Sequence, residues 1–179
     1  MNITFCPESD TSAFVSAARE YQDIWDTNGR AYINALEAKT GLEMPDKPIE
    51  ATIFEGVSRS HPLKLRASYS RDIKAPILIH ELGHRLLIAN ELGGRRYKAH
   101  KDLHVISHKL LNLFLYDVYV TLFGDAKASE IVAYESNFHP SYRECWQWAL
   151  ELTETERAAR FANIKAHRSD WLPYLDETP

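Results

Sequence analysis

The chain has 179 residues, 45% of them apolar and 26% charged, with a formal net charge of −4. That mixture belongs to a folded globular domain and excludes a fibrous or disordered chain. The slight acidic balance argues against a dedicated nucleic-acid or anionic-membrane binder.

A chain of this length buries roughly 70% of its unfolded surface, so one domain over 1–179 needs no disulfide framework. Cys6 and Cys145 read as free thiols of a reducing compartment. The start, Met1 to Glu8, has neither a basic region nor a long apolar one, which reads as an intracellular, cytoplasmic protein. The most apolar stretch, Leu110 to Phe123, contains Asn112 and Asp117 and falls short of the about 20 residues of a spanning helix. It reads as a buried helix, with no membrane role.

Residues 2–6 suit a short strand closed by Pro7. From Thr11 to about Lys39, Phe14, Ala17, Ala18, Tyr21, Trp25, Tyr32 and Leu36 recur at helical spacing. The pattern predicts a long amphipathic helix with a weak point at Asn28-Gly29 and a stop at Gly41. Ile49–Glu55 and Leu63–Tyr69 each suit a strand, and the Gly56–Pro62 loop between them predicts a hairpin. A helix is expected from near Lys74 to Leu92, with Pro76 in its first turn, where an absent N–H costs nothing. A second runs from about Ala99 to Phe123, and shorter ones cover Lys127–Asn137, Tyr142–Leu152 and Glu154–Lys165. Trp146, Trp148, Phe161, Trp171 and Tyr174 are simplest as helix-packing residues.

The chemistry lies in His80-Glu81-Leu82-Gly83-His84, mid-helix. Spacing of i, i+4 stacks two imidazoles on one helix face, where both can ligate one ion. Glu81, one step on, projects about 100° round the axis and can reach a water on the metal without ligating it. Zinc lowers the pKa of such a water toward about 7, and the carboxylate can take its proton. Gly83 costs a mid-helix position about 1 kcal/mol against Ala, so close packing or ligand access should explain it.

These five residues resemble the HExxH signature of the zincin metallopeptidases. The resemblance extends over the motif, its helix and the strand–hairpin–helix order before it. It implies an α+β, zincin-like fold, a small N-terminal sheet with a hairpin packed on a mainly helical body that contains the HExxH helix. It further implies that His80 and His84 bind Zn2+, that Glu81 is the general base, and that a peptide or protein substrate is hydrolysed. In that family an edge strand holds the substrate backbone, and Leu63–Tyr69 is the matching segment. The alternative is a zincin-like module with a structural or vestigial metal, binding a partner without cutting it. Glu91 stands where the metzincin extension has its third His.

Catalytic zinc takes three protein ligands and a water. His84 lies about 12 Å below the helix end at Leu92, and a helix returning antiparallel from Ala99 regains that height near His108. His104 lies one turn away on the same stripe, while His100 reads as solvated. Gluzincin-type zincins also place their third ligand, normally Glu, on the helix after the motif. Asp117, an isolated carboxylate in an apolar run, must be paired or metal-bound, and a role orienting a ligand His or a Tyr hydroxyl suits it better than ligation. Glu130, in Glu130-Ile131-Val132-Ala133, resembles the Glu-x-x-Ala of some gluzincins but also reads as a solvated helix carboxylate. His108 is preferred among these.

The basic run Gly93–Lys101 reads as a solvated loop and is no strong nucleic-acid signal, although it could touch phosphates or an acidic substrate. Tyr97, Tyr116 and Tyr119 are candidates to stabilise an oxyanion. Ser58 and Ser60, beside His61, have no nucleophile context.

Overall fold

The computed structural model describes residues 1–93 and 102–176. Among them the order is β1 (Ile3–Pro7), α1 (Ser12–Thr40), β2 (Ile49–Phe54), β3 (Lys64–Arg66), α2 (Arg71–Ala89), α3 (Leu103–Phe123), α4 (Asp125–Glu135), α5 (Pro140–Leu150) and α6 (Glu154–Ala166). Two short 3-10 turns, Arg168–Asp170 and Leu172–Tyr174, follow. The protein is α+β and mostly helical. The basic run from Gly94 to Lys101, with Tyr97 and His100, lies outside the described residues.

Helix α1 runs unbroken through Asn28-Gly29. The Trp25 ring lies over Gly29 so closely that an added Cβ would sit 2.6 Å from it, which accounts for the glycine. The helix stops at Gly41, whose φ of 61° suits a residue without a side chain. Its buried stripe, including Tyr21, Trp25, Tyr32 and Leu36, covers the sheet and the other helices.

The three strands form a wholly parallel sheet in the order β1-β2-β3. β1 and β2 pair from Ile3↔Ile49 to Pro7↔Ile53, joined by the crossover through α1. The expected hairpin of β2 with β3 is therefore corrected: Thr52 pairs with Lys64 and Phe54 with Arg66, in parallel. After Phe54 the chain first runs back, and Arg59 pairs antiparallel with Lys64. A second reversal at Ser60–Leu63 then sends β3 forward. The reversal foreseen at Gly56 exists, but it is one of two, and β3 keeps only three residues.

Both sheet edges are covered by the chain itself, which prevents strand-to-strand aggregation. The Gln22 amide bridges Phe5 N–H and Ile3 C=O, both at 3.3 Å, on the outer side of β1. On the other side the Arg59 segment lies along β3.

Helix α2 starts at Arg71, ahead of the expected Lys74, so Pro76 stands beyond the first turn and one intrahelical hydrogen bond is missing there. The Pro76 carbonyl accepts from the Tyr119 hydroxyl at 3.3 Å. Helix α3 is apolar on most sides, with Leu110, Leu111, Leu113, Phe114, Leu115 and Val118 buried, and it forms the centre of the helical body. Trp146, Phe161 and Trp171 pack into the same core. Cys6 and Cys145 are free thiols. No helix among the described residues is long and apolar enough to cross a membrane.

Candidate metal centre

His80 and His84 sit one turn apart on α2 with ring centroids 5.0 Å apart. Between them Gly83 faces α3, and an added Cβ would lie 2.6 Å from Leu111 Cδ1. The glycine is there for close helix packing. Pro76 meets Tyr119, Gly83 meets Leu111 and His84 meets His108, an order that makes the two helices antiparallel.

That close pass brings in His108, its ring centroid 4.9 Å from His84 and 5.4 Å from His80. One ligand nitrogen from each of the three imidazoles lies within 4.8 Å of the others. Nitrogens on one tetrahedral zinc, each about 2.1 Å from the ion, stand about 3.4 Å apart, so a small rotation of the rings closes the set.

Hydrogen bonds orient two of the rings. His108 Nδ1 is 2.7 Å from the His104 carbonyl, which can only accept, so Nδ1 carries the proton and Nε2 keeps its lone pair. His80 Nδ1 lies 3.3 Å from Glu135 Oε1, which leaves its Nε2 free in the same way. Glu135 is 1% exposed, and it also accepts from Tyr119 Oη at 2.9 Å and Trp146 Nε1 at 3.1 Å. A buried carboxylate behind a ligating imidazole fixes its orientation and strengthens it as a donor.

Electrostatics follow from burial. His84 and His108 are held well below the usual imidazole range, first by loss of solvent and then by neighbouring imidazoles, so both stay neutral. Burial opposes protonation of His80 too, but the charge and hydrogen bond of Glu135 outweigh it and raise that group. Burial lifts the Glu81 carboxyl to about 7, with His80 acting against the rise and Glu135 adding to it.

None of the other candidates belongs to the converging set, although the His104 ring lines the cleft with its centroid 4.3 Å from that of His108. His104 is exposed, with its Nδ1 3.4 Å from Ser141 Oγ. Among the described residues, Asp117 neither orients a ligand His nor meets a Tyr hydroxyl. Its carboxylate takes a two-pronged bond from Arg157, at 2.6 and 3.0 Å, inside the helical body. Glu130 pairs with Lys127 on the surface at 2.9 Å. Tyr119 is committed to Glu135, and Tyr116 lies under the Arg157 guanidinium.

Sequence reasoning passed over Glu135 and Tyr142. Glu135 continues the buried stripe Ala128, Ile131, Val132 of α4, and a carboxylate on an apolar stripe was the available signal. Tyr142 follows Pro140 in the first turn of α5, and its ring centroid is 4.4 Å from that of His108. Burial raises its hydroxyl above the ordinary tyrosine value, so it remains a donor.

Two cavities of about 410 and 690 Å³ adjoin the site, the smaller lined by all three imidazoles and the larger, of the three, by His80 alone. Val57, Ser58, His80, Glu81, His104 and Tyr142 line both, so they form one continuous cleft. The larger arm also has the apolar walls Tyr69, Ile77 and Phe138. Comparison with protein-family models, with curated proteins and with solved structures finds no match to this chain.

Proposed function

We propose that this chain is a zinc-dependent peptidase of the zincin type, with His80, His84 and His108 as ligands and Glu81 as general base. One observation carries the reading: three imidazoles converge at the floor of an open cleft with Glu81 among its walls. Among the described residues no fourth side chain joins the group, which favours a catalytic site over a structural one.

Zinc held by these nitrogens would polarise a peptide carbonyl and acidify a water. Glu81 takes the proton as the water oxygen adds to the carbonyl carbon. It returns that proton to the amine nitrogen as the C–N bond breaks. A nearby zinc favours the carboxylate form that takes the first proton, and burial of Glu81 favours the protonated form that delivers it. Tyr142, protonated and beside His108, is assigned to donate to the oxygen on which charge develops. The larger arm, with walls of Tyr69, Ile77 and Phe138, suits an apolar side chain next to the cleaved bond.

The test has two arms. Metal analysis of the purified protein should find one zinc per chain, absent from a His80→Ala/His84→Ala variant. Glu81→Gln should keep the zinc and slow peptide hydrolysis by at least about 100-fold. If Glu81→Gln cleaves as fast as the parent, the assigned base is wrong.

A further inference from the structure

Arg85 follows His84 on α2, one step round the helix, and lines a cavity that none of the three imidazoles reaches. The side chain is half-buried, and its Nη1 donates to the Ser60 carbonyl at 2.6 Å. A guanidinium carries a fork of N–H donors, and among the described residues this bond to a neutral group is the only one it makes. Loss of solvent lowers its pKa, and no carboxylate acts against that cause. A cation drawn partly out of water is ordinarily paired, so Arg85 lacks a counter-ion.

The cavity, about 370 Å³, gathers two more basic residues, Lys47 and His61. Among the described residues no Asp or Glu lines it, and the rest of its wall is methionine, proline, isoleucine and alanine. Lys47 is exposed, and Asp46 beside it is taken by the amino group of Met1 at 2.5 Å. Ile88 lines this cavity and the smaller arm of the cleft, so the two share a wall.

We propose that this cavity binds a phosphate group, with Arg85 as its anchor and Lys47 and His61 as further donors. A guanidinium fork matches two oxygens of one anion, and basic walls without an acid suit a dianion better than a single carboxylate. The volume exceeds that of phosphate alone and falls in the range of small-molecule sites, so the apolar wall meets the molecule that carries the group. The site needs no metal and stands whether or not the cleft cuts peptides.

The test is calorimetric titration of the full chain, at low ionic strength, with inorganic phosphate, methyl phosphate and acetate. The two phosphates should bind with a Kd of about 1 mM or tighter, and acetate at least about tenfold more weakly. Methyl phosphate binding as well as inorganic phosphate assigns the site to a monoester, and inorganic phosphate binding alone assigns it to the free ion. Arg85→Gln can still donate to the Ser60 carbonyl but loses the charge and the fork, and should weaken phosphate binding at least about tenfold. Lys47→Glu reverses an exposed charge at the same cavity and should weaken it by a similar factor. Should Arg85→Gln fail to fold, Lys47→Glu decides alone. Phosphate binding equal in the parent and both variants would place the anion on the metal or elsewhere and overturn the site. Absence of phosphate binding up to about 10 mM, or acetate binding as tightly as phosphate, overturns it as well.

Discussion

Glu135 Oε1 lies 3.3 Å from His80 Nδ1, a contact that joins the end of α4 to the middle of α2 across 55 residues of chain. The carboxylate is held in turn by Tyr119 and Trp146, so α3, α4 and α5 converge behind one imidazole of α2. Glu135→Gln keeps the shape and removes the charge. Zinc affinity should drop about 10- to 100-fold, read by competition with a chromophoric chelator. Affinity equal to the parent's would mean that His80 needs no carboxylate behind it.

His104 and His108 are separated by the same experiment. His108→Ala should lose stoichiometric zinc, because one of three converging nitrogens is gone. His104→Ala should retain it, because its ring lies outside the converging set and the main-chain carbonyl that holds His108 Nδ1 is kept. The reverse result would move the third ligand one turn along α3.

The pH dependence of the metal-free protein reports on Glu81. Its carboxyl titrates at about 7 in the fold against 4.5 ordinarily, so the folded state binds the proton more tightly. The stabilisation is full below pH 4.5 and is lost as the pH rises through about 7. Against Glu81→Gln, the metal-free parent should lose about 3 kcal/mol of stability between those limits, measured by urea unfolding. Zinc should shrink the difference, because a nearby dication favours the carboxylate. Parallel stability curves for the two proteins would show that burial does not shift this group.

Asp117→Ala tests a purely structural pair. It leaves the Arg157 guanidinium buried without its carboxylate and should cost about 3–5 kcal/mol. Zinc affinity of the folded fraction should not change. A selective loss of metal with stability retained would restore the orienting role that the sequence suggested for Asp117.

Gly83→Ala places a methyl against Leu111, in a core where neither can move far. The helical preference for Ala, about 1 kcal/mol, opposes an overpacking cost of about 1–3 kcal/mol. The variant should lower Tm and weaken zinc binding by moving α2 from α3. Truncating the obstacle in a Gly83→Ala/Leu111→Ala double variant should reduce the cost, seen as coupling in a double-mutant cycle. Additive effects would argue against the contact.

Much of the fold was legible because apolar spacing records which helix face is buried. The stripe from Tyr21 to Leu36 marked α1, and Leu110 to Val118 marked α3 as interior. Sheet pairing was not legible. Alternation in Leu63–Tyr69 states that a strand has two faces, yet it is silent on which neighbour it pairs with and in which direction. The second reversal before β3 carries no periodic signal.

The sequence by itself determined the helical pair His80 and His84 with Glu81 beside it, since their relation needs only the pitch of one helix. Helix arithmetic also pointed from there to His108, because an antiparallel return repeats the same rise. Tertiary structure alone decided that Glu135 backs His80, that Asp117 belongs to Arg157, and that a reversed segment covers β3. Such contacts depend on how whole elements dock, and docking is set by packing over the entire core, which no local spacing encodes.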